Sequence, residues 1–150
     1  MSIFICVPGE PVGKGRPRIG RRGAHAMMFT PEKTANYENA VAAEALASMR
    51  GEKPLTGPLE LKLQLFLGIP KGYSKKRAEA CRRGLEVPTK TPDWDNCAKA
   101  VCDAFNGIVW EDDKQVVDAH VTKRYADAPC IVAIVTPLTF GPVDLLAGAD

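Results

Sequence analysis

The segment LELKLQLFL, residues 59–67, has leucine at every second position. Successive side chains of a β-strand point to opposite faces of a sheet, so this alternation predicts a strand with one buried face. A sheet that buries one face needs another layer packed against it. The chain is therefore expected to fold around a sheet that is covered by helices.

Six other segments are predicted from hydrophobic periodicity and from residues typical of helix ends. In chain order they are a strand at residues 2–7, a helix with Thr30 as N-cap and Pro31 as first helical residue that ends at Gly51, a short helix capped by Ser74 that ends at Gly84, a helix from Trp94 to Asn106-Gly107, and strands at residues 116–125 and 130–136. The order β-α-β-α-α-β-β predicts an α/β or α+β single domain with a mixed sheet of about four strands. Residues 1–136 are expected to form the domain and residues 137–150 a loose tail.

The composition limits the class of protein. With 45% hydrophobic and 25% charged residues, the 150-residue chain resembles a soluble globular domain. No apolar run approaches the length of a membrane span, and the N-terminal residues lack the pattern of a secretory signal, so a cytoplasmic location is expected. The five cysteines are irregularly spaced, which favours buried free thiols over a zinc site or disulfides. Trp94 and Trp110 are predicted to lie in the core.

The charge is unevenly distributed along the chain. The net charge of +2 combines +6 over the first 110 residues with −4 over the remainder. Most of the basic excess lies in two blocks, which contain Lys14, Arg16, Arg18, Arg21 and Arg22 in the first and Lys71, Lys75, Lys76, Arg77, Arg82 and Arg83 in the second. The first block is rich in Gly and Pro and is predicted to form an exposed basic loop or ribbon. Together the blocks favour binding to a polyanion, although each alone is equally well explained as a solvated surface.

The segment TPDWDNCAKAVCDAFNG, residues 91–107, places Asp93 and Asp95 two positions apart, with Lys99 four residues after the second aspartate. Carboxylate oxygens are preferred ligands of Mg²⁺, and residues two apart in an extended segment point to the same side. Asp is also a common helix-capping residue, so the local pattern leaves both interpretations open. The acidic turn at Asp112 and Asp113 is equally ambiguous, because Asp is frequent in turns.

The combined pattern P-D-W-D-N-x-x-K-x-x-x-D-A-x-N-G, followed by W-E-D-D-K-Q-V-V-D, resembles the RusA family of Holliday junction resolvases. The KGRPR segment at residues 14–18 and the TPEKTANYE segment after it are similar to the start of many family members. The resemblance implies a Mg²⁺-dependent endonuclease, with Mn²⁺ as a substitute, that cuts four-way DNA junctions as a homodimer.

The same resemblance implies a set of site residues. Asp93, Asp95 and Asp113 are the expected metal ligands, and Lys99 is the expected catalytic lysine. A shift of one residue would exchange the roles of Asp112 and Asp113. Asp103, four residues after Lys99, is expected first to be its structural partner on the helix face, with a role in the site as the alternative. The predicted DNA-contacting residues are Lys14, Arg16, Arg18, Arg21, Arg22, Lys75, Lys76 and Arg77.

Three alternative functions remain open at this point. The first is a Mg²⁺-dependent nuclease for flaps or other branched DNA that uses the same residues. The second is a non-catalytic DNA-binding protein whose aspartates are caps and turn residues. The third is a nucleotide-sugar transferase that binds Mn²⁺ through the D-x-D pair, which the short chain and the basic blocks disfavour.

Overall fold

A computed structural model describes residues 1–15 and 31–140, together with the backbone of two short strands between them. The elements are β1 (Ile3–Pro8), β2 (Arg18–Arg22), β3 (His25–Phe29), α1 (Glu32–Met49), β4 (Leu59–Gly68), α2 (Lys75–Arg82), α3 (Trp94–Phe105), β5 (Val116–Ala126) and β6 (Cys130–Pro137). A single 3₁₀ turn, Asp113–Gln115, precedes β5. No helix in these described residues is both long and apolar enough to cross a membrane.

The main sheet has four strands in the order β1-β6-β4-β5. Strands β4 and β5 run parallel, while β6 is antiparallel to both β4 and β1. The predicted α+β class, the mixed four-stranded sheet and the order of the elements are confirmed. In addition, β2 and β3 form a two-stranded antiparallel sheet. Strand β2 lies within the segment that was predicted to be a basic loop or ribbon.

The alternating leucines form the centre of the core, as predicted. Leu59, Leu61, Leu63, Leu65 and Leu67 are each at most 3% exposed. The same face of the sheet contributes alternate residues of β1 and β6, and it packs against α1 and α3. Burial of this face follows from the period of two along each strand.

The start of α1 differs from the prediction by one residue. Pro31 occupies the N-cap with an extended backbone (ψ 142°), and the helix begins at Glu32. Thr30, the predicted N-cap, lies outside the described residues. Val41, Ala45 and Met49 recur at helical spacing and are buried.

The two tryptophans have different environments. Trp110 is fully buried, as predicted, and packs edge-on against Phe105 with ring centroids 5.4 Å apart. Its indole N–H donates to Asn106 Oδ1 at 2.7 Å, and Gly107 adopts the left-handed conformation after α3 (φ +80°). The prediction for Trp94 was wrong: it is 58% exposed, because it is the first residue of α3 and precedes the buried stripe.

The cysteines are free thiols, in agreement with the prediction. Cys81 and Cys97 are buried, and Cys102 and Cys130 are partly buried. Cys6 was wrongly expected to be buried; it lies on the outward face of edge strand β1 and is exposed.

Candidate active site

The N-terminus of α3 presents Asp93 and Asp95 to solvent. Asp93 is the N-cap residue, with an extended backbone (φ −68°, ψ 143°), but its carboxylate makes no capping hydrogen bond. Asp95 lies in the first turn of the helix. Both side chains are exposed. The capping interpretation therefore does not account for the carboxylate of Asp93, which remains available to a ligand.

The two aspartates of the acidic turn before β5 make different contacts. Asp112 caps the 3₁₀ turn, because its Oδ1 accepts from the backbone N–H of Lys114 at 2.9 Å. Gln115 completes this capping box by accepting from the backbone N–H groups of Glu111 and Asp112. Asp113 has no such capping task and is partly buried. Burial and the neighbouring Asp112 carboxylate raise the pKa of Asp113, and Lys99 partly offsets that rise.

Lys99 lies one helical turn after Asp95, on the face of α3 that also carries Asp103. Its ammonium donates to Asp103 Oδ1 at 3.0 Å. This hydrogen bond raises the pKa of Lys99, and the nearby Asp113 carboxylate adds to the effect. The predicted partnership of Lys99 with Asp103 is thus present. This effect links Lys99 to Asp113, which is 14 positions later in the sequence.

The loop after β1 is hydrogen-bonded to both α1 and α3. The backbone N–H of Lys14 donates to Asn96 O at 2.9 Å, and that of Gly15 donates to Thr34 Oγ1 at 3.0 Å. The loop lines an open cavity of about 800 Å³ together with the first turn of α1 and residues 91–93 and 96. Asp93, one of the predicted metal ligands, forms part of the wall of this cavity.

Close packing explains Gly13 and Gly15 of this loop. A Cβ atom on Gly15 would lie 2.9 Å from both Pro31 Cγ and Thr34 Oγ1. Gly13 is also close to its neighbours, since a Cβ there would lie 3.3 Å from Asn96 Cβ. These glycines allow the backbone to approach the two helices.

Gly15→Ala is expected to lower the free energy of unfolding by about 1–3 kcal/mol, because the added methyl overpacks a rigid proline and a buried threonine. Chemical denaturation measures this change. Gly72→Ala is the matched control, since a Cβ at Gly72 meets no atom within 4 Å. Equal stability of the Gly15→Ala and Gly72→Ala proteins would contradict the tight docking of the loop.

The carboxylates of the three predicted metal ligands, Asp93, Asp95 and Asp113, do not form a group whose ligand atoms all lie within 4.8 Å of one another. Among the described residues, the group of three potential ligands whose atoms lie within 4.8 Å of one another is Glu60, Asp118 and His120. These residues occupy the outward face of β4 and β5, where His120 Nε2 lies 3.0 Å from Asp118 Oδ1. The Lys62 ammonium, 4.0 Å from Glu60, already supplies a positive charge there. The metal-binding roles of Asp93, Asp95 and Asp113 remain predictions.

The predicted DNA-contacting residues fall into three groups. The side chains of Arg16, Arg18, Arg21 and Arg22 lie outside the described residues. Lys75 and Lys76 are exposed at the start of α2. The guanidinium of Arg77 already donates to both carboxylate oxygens of Glu86 and lies 3.6 Å from the Tyr73 ring centroid. The Lys14 ammonium forms ion pairs with Glu38 and Asp103, so this side chain is also already partnered.

Two residues next to the site were not identified from the sequence. Glu38 binds the Lys14 ammonium across 24 positions of sequence, and no local spacing indicates that contact. Trp94 was assigned to the core because it begins the apolar stripe of α3. Its position between two exposed aspartates was the available signal that it lies at the surface.

Comparison with known proteins identifies the family. A family model described as "Endodeoxyribonuclease RusA" matches residues 8–136. A relative from Bacillus subtilis (strain 168), described as "Uncharacterized protein YqaN", is 38% identical over 135 residues, which cover 89% of this chain and 94% of the relative. The matched range includes the loop after β1, the start of α3 and the acidic turn. This chain belongs to the RusA endodeoxyribonuclease family.

Proposed function

We propose that this protein is a structure-selective endodeoxyribonuclease that resolves four-way DNA junctions by Mg²⁺-dependent phosphodiester hydrolysis, in DNA recombination and repair. The observation that carries the proposal is the N-terminus of α3. There, the carboxylate of Asp93 makes no capping hydrogen bond and lies beside Asp95. Lys99 follows one turn further along the helix, where the Asp113 carboxylate raises its pKa. Family membership identifies the reaction class to which this arrangement belongs.

The donor set suits a hard divalent cation. Asp93, Asp95 and Asp113 would bind Mg²⁺ through carboxylate oxygens, and Mn²⁺ accepts the same ligands. When bound, the cation activates water and stabilises negative charge on the phosphate. We prefer Asp113 to Asp112 for this set, because Asp112 Oδ1 already accepts the Lys114 N–H.

Lys99 is the proposed stabiliser of charge on the reacting phosphate. Its side chain is 60% exposed, so the ammonium can reach a bound strand while it remains paired with Asp103. Positive charge fixed where negative charge develops lowers the activation barrier. The cavity next to Asp93 provides a groove in which one strand can lie.

Four-way junctions offer two strands for symmetric cutting. A twofold dimer presents two equivalent sites to such a substrate, and we propose that the enzyme acts as a homodimer. Sedimentation velocity measures this directly. The protein alone is expected to have the mass of a dimer, and its complex with a junction is expected to contain two protomers. A monomer in both conditions would contradict the dimer.

The substrate panel that tests selectivity contains a four-way junction, a flap and a linear duplex of equal length. The junction is expected to be cut at least about tenfold faster than the other two. If the flap were cut faster than the junction, the flap would be the preferred substrate. Equal DNA binding in EDTA and Mg²⁺ with no cleavage would identify a non-catalytic DNA-binding protein.

Lys75 and Lys76 are proposed to contact DNA phosphates. Replacing either one with Ala is expected to weaken junction binding uniformly across sequences and to reduce the slope of log Kd against log salt by about 1. Fluorescence anisotropy at several salt concentrations measures both quantities. Lys62→Ala, on the outward face of β4, removes the same charge from another surface and is expected to change neither. If Lys62→Ala changed the salt slope while Lys75→Ala and Lys76→Ala left it unchanged, the proposed DNA contacts of Lys75 and Lys76 would be contradicted.

A further inference from the structure

Four charged side chains of alternating sign form a row in the order Glu38, Lys14, Asp103 and Lys99. Glu38 on α1 binds the ammonium of Lys14, and the same ammonium lies 3.1 Å from Asp103 Oδ2. The other oxygen of Asp103 accepts from Lys99 at 3.0 Å. Lys14, Glu38 and Asp103 have side chains 20%, 20% and 23% exposed, whereas that of Lys99 is 60% exposed. The row thus runs from a partly buried anchor to the exposed ammonium.

Asp103 is the centre of this row. Burial raises the pKa of Asp103, but the hydrogen bonds from Lys99 and Lys14 outweigh burial and lower it. Burial likewise lowers the pKa of Lys14, and its hydrogen bonds to Glu38 and Asp103 outweigh that effect and raise it. Without the carboxylate, two ammonium groups would repel each other across the space that Asp103 occupies.

The anchor of the row is Lys14, in the loop after β1. The backbone of Lys14 is hydrogen-bonded to Asn96 O on α3, so both the main chain and the side chain of this residue are held. Isolated exposed ion pairs order a side chain only weakly. Here Asp103 is fixed from its far side by a second lysine, which restricts the positions that Lys99 can adopt.

We propose that Lys14, Glu38 and Asp103 are positioning residues for Lys99: docking of the loop after β1 between α1 and α3 orients the ammonium that acts at the phosphate. The inference rests on the proposed nuclease function. It gives Lys14 a task other than the predicted DNA contact.

The test is a double-mutant cycle in single-turnover cleavage of a four-way junction at saturating enzyme and Mg²⁺. Asp103→Asn keeps the shape and removes the charge, and it is expected to slow cleavage tenfold or more with the junction Kd unchanged within twofold. In a Lys99→Ala background, Asp103→Asn is expected to cause no further loss beyond twofold. Glu79→Gln breaks an exposed helix ion pair with Arg82 and is the control, with an unchanged rate expected.

A second readout does not depend on activity. NMR of lysine ammonium groups is expected to show an ordered Lys99 signal in the wild type that broadens or shifts in Asp103→Asn, and to a smaller extent in Lys14→Met. Normal cleavage by Asp103→Asn, or a further loss in the Lys99→Ala background, would overturn the positioning role. A wild type that cuts no branched DNA would instead overturn the proposed function, and an unchanged Lys99 signal in Asp103→Asn would then overturn the positioning role as well.

Discussion

Asp113→Asn is expected to reduce the rate of junction cleavage by about 100-fold or more, while the fold and the junction affinity are retained. Asn has nearly the same shape as Asp but lacks the negative charge that a proposed cation ligand needs. Asp113 lies outside the capping box of its turn, so the substitution leaves that box intact. Gel analysis of single-turnover cleavage, with a binding assay alongside, separates loss of chemistry from loss of binding.

Asp112→Asn is the matched control for this prediction. Asn is as good a cap as Asp, so the hydrogen bond from the Lys114 N–H is expected to persist. Cleavage is therefore expected to remain within a few-fold of the wild-type rate. Normal activity of Asp113→Asn would contradict the proposed set of three carboxylates. Loss of activity in Asp112→Asn alone would exchange the roles of the two neighbours.

Trp110→Ala is expected to lower the free energy of unfolding by about 3–5 kcal/mol. The ring is fully buried against Phe105, and its N–H is satisfied by Asn106 at the end of α3. Removal of the indole leaves a cavity and an unpaired amide oxygen. Since α3 carries the proposed site residues, the variant is also expected to lose activity at temperatures where it begins to unfold.

Trp94→Ala removes the same side chain from an exposed position 16 residues earlier. Because Trp94 is 58% exposed, the free energy of unfolding is expected to change by less than about 1 kcal/mol. Chemical denaturation of both variants gives the comparison. Equal destabilisation by the two substitutions would mean that Trp94 contributes to the core, contrary to its position in the structure.

Much of the fold could be predicted because the signals are local. The alternating leucines of β4 determine one buried face, and Ser74 caps α2 by accepting from the Arg77 N–H at 3.2 Å. The neighbours of each strand could not be predicted in this way. Strand β6 follows β5 in the chain but lies between β1 and β4, because periodicity determines which face is buried and not which strands pair.

The relative positions of the candidate residues on α3 were also predictable. Asp93, Asp95, Lys99 and Asp103 lie within one helix and its N-cap, so their spacing defines their relative positions. The contacts of Lys14 could not be predicted, since Glu38 and Asp103 are distant in sequence and a basic segment suggests DNA binding first. The capping contact of Asp112 could not be predicted either, because sequence alone does not specify which oxygen accepts which N–H.

The most direct test of the account is cleavage of a synthetic four-way junction by the purified protein, with Mg²⁺ and with EDTA. We expect symmetric cuts near the branch point in Mg²⁺, no cuts in EDTA, and no cuts by Asp93→Asn in either buffer while junction binding is retained. Cleavage that persists in EDTA, or wild-type activity of Asp93→Asn in Mg²⁺, would contradict a metal-dependent nuclease centred on the N-terminus of α3.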